Sequence, residues 1–288
     1  DMGVGRGEVV TQQGRHDVAT QTQPLEGTWA LILGASSGFG EAVSLELAGL
    51  GMHILGVHLD RKSTMANADR IVGEIKNKGR EALFFNVNAA DPDKRREVLD
   101  AFQARAGGTG GTPPIRVLLH SLAFGTLKPF ITESEPESLT KAQMDMTLDV
   151  MANSLVYWTQ DLVHRKLMGQ GGRIFAMTSA GGARVWKTYG AVSAAKSALE
   201  SHVRQLTLEL GPLGITVNAV MAGVTDTPAL RKIPGSDRMI QMAQAKNPCG
   251  RLTTTQDVAE AIGLLAHPKA QWLTGNVVCV DGGEFVVD

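Results

Sequence analysis

Tyr189 and Lys196 are the first residues whose types and spacing suggest chemistry. They lie seven positions apart, close to two helical turns, so in a helix they would share one face with about 10 Å between them along the axis. A lysine ammonium close to a phenol lowers the pKa of the phenol and makes it a better proton donor. At this spacing we expect direct coupling to be weak. The alternative is that a buried aromatic residue and a surface lysine share the face by chance.

A second group of residues could bind a ligand through its main chain. The segment from Gly34 to Gly40 follows an apolar run and precedes a helical pattern that begins at Glu41. A glycine-rich turn at that place lets the main chain approach a pyrophosphate, whose charge the helix N-terminus stabilises. Its position favours dinucleotide binding, and a purely structural turn is the alternative. The predicted contact residues of this turn are Gly34, Ser36, Ser37, Gly38, Phe39 and Gly40.

Short apolar or β-branched runs alternate with longer amphipathic stretches from residue 28 onward, and they predict the elements that position these groups. Strands separated by helical patterns are typical of a parallel sheet. We therefore predict an α/β fold, a single Rossmann-type, doubly wound, parallel seven-stranded sheet with helices on both faces. The C-terminal ends of the strands then share one edge, where ligands bind. The predicted strands are Trp29–Leu33, Ile54–His58, Leu83–Phe85, Val117–His120, Ile174–Met177, Ile215–Val220 and Val277–Val280.

Composition limits the classes of function. The 288 residues include 28 Lys and Arg against 29 Asp and Glu, so the formal net charge is −1 and no general basic field exists to bind nucleic acid. No apolar run approaches the roughly 20 residues that span a bilayer, and no secretion signal is evident. The seven histidines are scattered, and the two cysteines lack a CxxC spacing. We expect no membrane segment, no metal site and a cytoplasmic location.

The chain is expected to divide into a short tail and one large domain. Residues 1–26 are polar and rich in Gly, Gln and Thr, which predicts a mobile tail. Residues 27–288 are expected to form one dinucleotide-binding catalytic domain, in which a loop at about residues 221–250 covers the substrate. The apolar side chains of this loop suit an acyl chain or, equally, the packing of a helix on the core. They are Leu230, Ile233, Met239, Ile240 and Met242.

The segment from Leu33 to Gly40 resembles the glycine-rich fingerprint of the short-chain dehydrogenase/reductase family, and the resemblance extends from about residue 27 to the C-terminus. Further landmarks of that family recur in the expected order, among them Ser179, Tyr189 and Lys196. The resemblance implies a nicotinamide dinucleotide, whose ribose Lys196 would contact. It assigns further cofactor contacts to Asn88, Ala89, Ser121, Leu122, Ala123, Gly223, Val224 and Thr227.

The spacing of Tyr189 and Lys196 resembles that of the enoyl-acyl-carrier-protein reductases, a branch of the same family. The segment His120–Phe124 is similar to the same branch, and Met151 stands where ordinary family members carry a catalytic asparagine. The resemblance implies NAD(P)H-dependent reduction of the double bond of an α,β-unsaturated acyl thioester, as in fatty acid synthesis. Tyr189 would donate a hydrogen bond to the developing enolate oxygen.

Ser179 departs from that branch. Many enoyl reductases carry a second tyrosine ten residues before the catalytic one, whereas carbonyl reductases carry a serine there. A serine hydroxyl can still hydrogen-bond a thioester oxygen, so Ser179 is a candidate catalytic residue. The alternatives are a carbonyl or alcohol oxidoreductase, such as a 3-oxoacyl-acyl-carrier-protein reductase, and a nucleotide-binding scaffold that does not catalyse.

The end of the second strand bears on the choice of nicotinamide cofactor. The residue that usually contacts the adenosine ribose aligns with His58, and Arg61 and Lys62 follow it. A neutral His58 followed by two cations suits a 2′-phosphate, so NADPH is expected. Asp60 could instead select NADH, which is the second choice, and the two cations could simply be solvated.

A run of cations between residues 229 and 251 suggests a partner. Asp237 is the one acid in this segment. We hypothesise that the cations receive an acidic acyl carrier protein or the phosphates of coenzyme A, and a solvated helix face is equally compatible. The segment 272–283 resembles the C-terminal segment through which members of the family form tetramers, which implies a homotetramer. The cations are Arg231, Lys232, Arg238, Lys246 and Arg251.

Overall fold

The structure, a computed structural model, describes residues 24–106 and 113–287. Within those residues seven parallel strands form one sheet in the order β3-β2-β1-β4-β5-β6-β7. The predicted seven-stranded parallel sheet is therefore confirmed. The strands are β1 Trp29–Leu33, β2 His53–His58, β3 Ala82–Asn86, β4 Ile115–His120, β5 Arg173–Ser179, β6 Thr216–Ala222 and β7 Val277–Val280.

Helices cover both faces of the sheet, as predicted. The α-helices of the described residues are α1 Gly38–Gly49, α2 Met65–Asn77, α3 Pro92–Ala106, α4 Lys141–Leu148, α5 Ser154–His164, α6 Gly190–Leu210, α7 Ser236–Lys246 and α8 Thr255–Ala266. One apolar cluster joins α3, α5 and α6 to the sheet, with Phe102 and Trp158 fully buried in it. The other joins α1, α2 and α8 to the opposite face, with Leu47 and Ile262 fully buried. Two separate cores on one sheet are the mark of a doubly wound fold.

Strand β1 shows why the apolar runs of the sequence are continuous. Leu31 and Leu33 belong to the cluster under α5 and α6, whereas Ala30 and Ile32 belong to the cluster under α1 and α8. Both faces of the strand are buried, so neither set of alternating residues is polar. The strand order also reverses beside β1, because β2 lies on one side and β4 on the other. Such a switch point leaves a crevice at the C-terminal ends of the strands, where α/β folds bind ligands.

Several strands are longer than the apolar runs predicted. β2 begins at His53 and β5 at Arg173, because pairing with the neighbouring strand continues through these polar residues. The buried Arg173 side chain is accommodated by the main chain, and its Nη1 donates to the carbonyl oxygen of Gly171 at 2.8 Å. Ile215 lies one residue before β6 rather than in it. Apolar patterning alone misses strand ends whose polar side chains find local partners.

The predicted tail is only partly covered by the structure. Residues 1–23 lie outside the described residues, so its mobility stays a prediction. Leu25 is buried in the cluster under α1, and Glu26 is ion-paired with Arg80 at 3.0 Å. The packed domain therefore includes at least these two residues, which the sequence assigned to the tail.

The predicted substrate loop, about residues 221–250, contains α7 and a 3-10 turn at Leu230–Lys232.

Of the helices that the structure describes, none has both the length and the apolar character to cross a membrane. Over the same residues, no group of three or more His, Cys, Asp or Glu side chains is arranged to hold a metal ion.

Candidate active site

The glycine-rich turn between β1 and α1 brings two main-chain segments into contact. Gly34 has a φ of +92°, and a Cβ built on it would lie 2.3 Å from the carbonyl oxygen of Ser121. A Cβ on Gly40 would lie 2.0 Å from the carbonyl oxygen of Gly34. A side chain therefore fits at neither position, and glycine allows the turn to form against the end of β4.

Helix α1 presents its N-terminus at this turn. It begins at Gly38, and within the described residues the Ser37 side chain makes no capping hydrogen bond. The N–H groups of the first turn can therefore bind an anion, which the helix dipole also favours. Asn67 of α2 braces the turn, since its Nδ2 donates to the Ser36 carbonyl at 2.7 Å and to Glu41 Oε2 at 2.8 Å. The turn fits a dinucleotide pyrophosphate, and sequence reasoning missed Asn67 because it lies on another element.

The end of β2 holds the groups expected to select the cofactor. His58 is buried, and its Nδ1 lies 2.8 Å from Oδ2 of Asp60. Burial raises the pKa of Asp60, but side-chain hydrogen bonds, of which that from Ser36 has the largest effect, lower it. The hydrogen bonds outweigh burial, so the pKa of Asp60 lies below its ordinary value. A charged carboxylate therefore lies near the glycine-rich turn. Arg61 and Lys62 follow it and are exposed.

Predicted cofactor contacts at the ends of β3 and β4 lie along the same edge. The carbonyl oxygen of Ala89 accepts a hydrogen bond from Nε1 of the buried Trp158 at 2.8 Å. Asn88 precedes it and is exposed. The main-chain N–H of Ser121 donates to the Leu33 carbonyl at 2.9 Å, which continues the pairing of β1 and β4 into the loop. These contacts fix the walls of the crevice on either side of the switch point.

The loop after β6 reaches the glycine-rich turn. Cγ2 of Thr227 would lie 3.7 Å from a Cβ built on Gly38, so the two segments are neighbours. Val224 is already engaged, because its main-chain N–H donates to Glu284 Oε2 at 3.0 Å. Its contact with a cofactor stays a prediction. The other predicted contacts on this edge are Leu122, Ala123 and Gly223.

Tyr189 lies immediately before α6, whose first residue is Gly190. Its Oη lies 3.4 Å from Oγ of Ser179, the last residue of β5. This separation exceeds that of an ordinary O–H···O hydrogen bond. The two hydroxyls are neighbours, and both can donate a hydrogen bond to the same substrate oxygen. Burial raises the pKa of Tyr189, and the Ser179 hydroxyl lowers it only in part. The phenol therefore keeps its proton at neutral pH and can act as a hydrogen-bond donor.

Lys196 is buried in α6, and its ammonium group is bound to β5. Nζ donates to the carbonyl oxygen of Met177 at 2.6 Å. Burial lowers the pKa of Lys196 to about 8, while Glu200 raises it in part. Glu200 in turn accepts a hydrogen bond from Thr178 Oγ1 at 2.6 Å. Sequence reasoning missed Glu200, although its position one helical turn after Lys196 is a signal for such a role.

A π-helical turn, Asp149–Asn153, links α4 to α5 beside the site. Met151 lies in this turn and is buried, so an apolar thioether occupies the position at which the resemblance predicts an asparagine in ordinary family members. Ser154 Oγ donates to the Val150 carbonyl at 2.8 Å and lies 2.8 Å from Nε2 of His120. Burial lowers the pKa of His120 to about 3, so its ring is neutral.

A cavity of about 500 Å³ opens beside Tyr189. Phe130 and Trp186 form part of its walls, and they come from the loops after β4 and β5 rather than from the predicted substrate loop. That loop contacts a residue of the cavity wall, since Trp186 Nε1 donates to the Pro234 carbonyl at 3.2 Å. None of the cavity-lining residues belongs to the segment 221–250.

The cation-rich segment between residues 229 and 251 is more neutral than its sequence indicated. Arg231 bridges Asp226 and Asp237, with both contacts at 2.6 Å. Arg251 pairs with Asp257 at 2.7 Å. Arg231 and Arg251 are therefore engaged by acids rather than free to receive a carrier. Asp226 and Asp257 lie just outside the segment, which is why counting charges within it missed them.

A family model described as enoyl-(acyl carrier protein) reductase matches residues 34–284. An NADPH-dependent aldehyde reductase-like protein, chloroplastic, of Arabidopsis thaliana is 29% identical over 272 residues, covering 90% of this chain and 95% of its own. A 3-oxoacyl-[acyl-carrier-protein] reductase of Pseudomonas aeruginosa is 29% identical over 265 residues, covering 91% and 99%. A 1-cyclohexenylcarbonyl-CoA reductase of Streptomyces collinus is 29% identical over 262 residues, covering 90% and 87%.

The fold also matches solved structures. The enoyl-[acyl-carrier-protein] reductase (NADH) of Aquifex aeolicus superposes with a TM-score of 0.76 at 24% identity, covering 91% of this chain and 98% of that one. At that identity the likeness concerns the fold alone. Because the family model spans most of the chain, including the glycine-rich turn, Tyr189 and Lys196, the chain belongs to the short-chain dehydrogenase/reductase family of NAD(P)-dependent oxidoreductases.

Proposed function

We propose that this protein reduces the carbon–carbon double bond of an α,β-unsaturated acyl thioester. The observation that carries the proposal is that the two candidate catalytic groups have different partners. The Tyr189 phenol lies beside Ser179, whereas Lys196 Nζ is bound to the Met177 carbonyl. Burial raises the pKa of the phenol. A phenol that holds its proton in this way is suited to hydrogen-bond an enolate oxygen.

The residues around the phenol have complementary roles in such a reaction. When bound, the nicotinamide cofactor supplies the hydride that adds to Cβ of the substrate. Negative charge then develops on the thioester oxygen, where Tyr189 Oη and Ser179 Oγ donate hydrogen bonds. The Lys196 ammonium adds positive potential from within α6. A proton from solvent at Cα completes the saturated product.

NADPH is the proposed cofactor. Arg61 and Lys62 are exposed beside the end of β2, where cations suit a ribose 2′-phosphate. The Asp60 carboxylate opposes this choice by repulsion. One of its oxygens is engaged by His58 at 2.8 Å. NADH is therefore the second choice, as in the sequence-based expectation.

A carbonyl reductase is the second candidate function. The Ser179 hydroxyl beside Tyr189 is the arrangement that resembles carbonyl reductases, and the Pseudomonas relative is named for reduction of a 3-oxoacyl group. The Streptomyces relative is named for a cyclohexenylcarbonyl thioester, which supports the leading candidate. The two candidates differ in the bond that is reduced and share the same hydrogen-bond donors.

Crotonyl and acetoacetyl thioesters assayed side by side, each with NADPH and with NADH, separate these candidates. We expect kcat/KM for the crotonyl substrate with NADPH to exceed the other three combinations by about tenfold or more, a difference of about 1.4 kcal/mol. Turnover of the acetoacetyl substrate alone would reject double-bond reduction and support the carbonyl reductase. A preference for NADH would reject the role of Arg61 and Lys62.

Assembly and carrier docking extend the proposal. Trp272 is 96% exposed and Leu273 is 49% exposed before β7, which supports burial of this segment in a homotetramer. Lys232 and Arg238 are exposed cations of the segment 229–251 and remain available to an acyl carrier protein or coenzyme A. A cytoplasmic location is proposed with them.

A further inference from the structure

The four-residue turn Trp186–Tyr189 holds an unusual backbone conformation. The N–H of Tyr189 donates to the Trp186 carbonyl at 3.1 Å, and the third residue, Thr188, has a φ of +67°. That position of such a turn favours glycine or asparagine. For a β-branched side chain a positive φ is a rare and strained conformation. Thr188 is therefore held in a conformation that other residue types would adopt more easily.

Lys166 offers a comparison, because it is the other non-glycine residue with a positive φ in the part of the chain that the structure describes. It follows the C-terminal end of α5, where a left-handed residue commonly ends a helix. Lys166 also has an unbranched Cβ. The end of α5 accounts for the positive φ of Lys166, whereas Thr188 precedes a helix and its positive φ has no such explanation.

The Thr188 hydroxyl adds a second unusual feature. Its Oγ1 is buried and has no hydrogen-bond partner among the described residues. Thr188 also lines the cavity of about 500 Å³ beside Tyr189. Buried polar groups in folded proteins almost always have partners, and strained residues cluster at ligand sites. Rotation about χ1 among its three staggered positions can bring this hydroxyl to a molecule in the cavity.

The other walls of the cavity indicate which part of a ligand the hydroxyl meets. Phe130 and Trp186 make them largely apolar, and Lys128 supplies a cation. Exposed Lys187 lies between two of the lining residues. A saturated acyl chain would offer no polar group to Thr188. The phosphopantetheine arm of an acyl thioester carries an amide a few bonds beyond the sulfur and a phosphate at its far end, which lysines bind.

We propose that Thr188 binds the substrate through a hydrogen bond between its hydroxyl and the pantetheine amide nearest the thioester sulfur. Carrier-protein and coenzyme A thioesters share this group. The thioester carbonyl then meets Tyr189 while the arm occupies the cavity. This assignment rests on the proposed thioester function and adds a recognition element for the carrier arm.

Two synthetic crotonyl thioesters test the assignment. The N-acetylcysteamine thioester contains the amide, and the S-pentyl thioester has an arm of equal length without it. We expect the native enzyme to prefer the amide-containing substrate in kcat/KM by about fivefold to tenfold, as for one hydrogen bond. In Thr188→Val, which keeps the β-branched shape, this ratio should fall to about one. Thr188→Ser, which keeps the hydroxyl, should retain it.

A ratio that Thr188→Val leaves unchanged would overturn the assignment. If Thr188→Val does not fold, Thr188→Gly replaces it, because glycine adopts a positive φ without strain and also lacks the hydroxyl. The same pair of thiols on acetoacetyl substrates separates this assignment from the proposed reaction. Suppose that crotonyl thioesters are not turned over, and that Thr188→Val loses the preference for the amide-containing acetoacetyl thioester. This result would retain the role of Thr188 and reject double-bond reduction. Dissociation constants of the saturated butyryl thioesters, read from the change in tryptophan fluorescence on binding, measure the same ratio independently of turnover.

Discussion

Two of the turns that place the chain at positive φ do so in opposite ways. The turn after β1 uses Gly34 and Gly38, and at Gly34 a side chain would collide with the main chain of Ser121, just after the neighbouring strand β4. The turn before Tyr189 uses Thr188 and keeps a β-branched side chain in the cavity wall. The first turn offers main-chain N–H groups to a dinucleotide, a ligand common to the family. The second offers a side chain, which can differ between family members with different substrates.

Gly40→Ala should break the backbone turn most strongly. The added Cβ would lie 2.0 Å from the Gly34 carbonyl oxygen, which cannot move without opening the turn. We expect the free energy of unfolding to fall by about 3 kcal/mol and cofactor binding to be lost. Chemical denaturation and a fluorescence titration with NADPH measure the two effects.

Gly49→Ala is the matched control in the same helix. A Cβ at Gly49 meets nothing within 4 Å, and the residue is exposed and helical. Alanine there should raise the free energy of unfolding by roughly 0.5–1 kcal/mol and leave cofactor binding intact. Equal effects of the two substitutions would mean that the close approach at Gly40 does not hold the turn.

Tyr189→Phe should lower the rate of the reaction and leave cofactor binding at the glycine-rich turn intact. Removal of a hydrogen-bond donor to a developing oxyanion typically lowers kcat by about 100-fold to 1000-fold. NADPH affinity should stay within about twofold, because Tyr189 lies immediately before α6 rather than in the glycine-rich turn. Tyr157→Phe, in α5 at 38% exposure, is the matched control and should leave both values unchanged. Full activity of Tyr189→Phe would reject the proposed mechanism.

The pH dependence tests Lys196, whose pKa burial lowers to about 8. As pH rises through this value the ammonium loses its charge, so kcat/KM should fall by about tenfold between pH 7 and pH 9. Stability should respond in the opposite direction. Between about pH 8 and the ordinary lysine pKa of 10.5 the unfolded chain binds more protons at this group than the native protein, so its contribution to the free energy of unfolding rises with pH.

Glu200→Gln separates Lys196 from other groups that titrate near pH 8. Glu200 raises the pKa of Lys196, so its removal should move the decline in kcat/KM to lower pH. Glutamine can still accept the hydrogen bond from Thr178 Oγ1. A decline whose midpoint is the same in both proteins belongs to a group other than Lys196.

The predictability of the fold follows from how the elements are buried. Strands β1 and β4 are buried on both faces, so their apolar runs stand out in the sequence, as do the glycines of the turn after β1. The missed strand ends carry polar residues such as His53 and Arg173, whose pairing depends on a neighbouring strand. Patterns that repeat locally are visible in one sequence, whereas pairing between distant segments is not.

Side-chain partners explain what could not be predicted about the site. The sequence predicts that Lys196 shares a helix face with Tyr189, but the partner of Lys196 is the Met177 carbonyl on β5, nineteen residues earlier. The cations expected to dock a carrier include Arg231, which instead bridges Asp226 and Asp237. The cavity beside Tyr189 lies between loops that neither spacing nor composition brings together.

By itself the sequence determined the doubly wound sheet, the glycine-rich turn and the Tyr189 and Lys196 pair, because the patterns that indicate each of them are formed by residues close together along the chain. The tertiary structure alone decided the carboxylate and imidazole pair beside the turn, the ion pairs of the substrate loop and the cavity walled by Phe130 and Trp186. It also decided the strained conformation of Thr188. These features depend on distances between side chains and on backbone angles, which are set only when the strands and helices pack together.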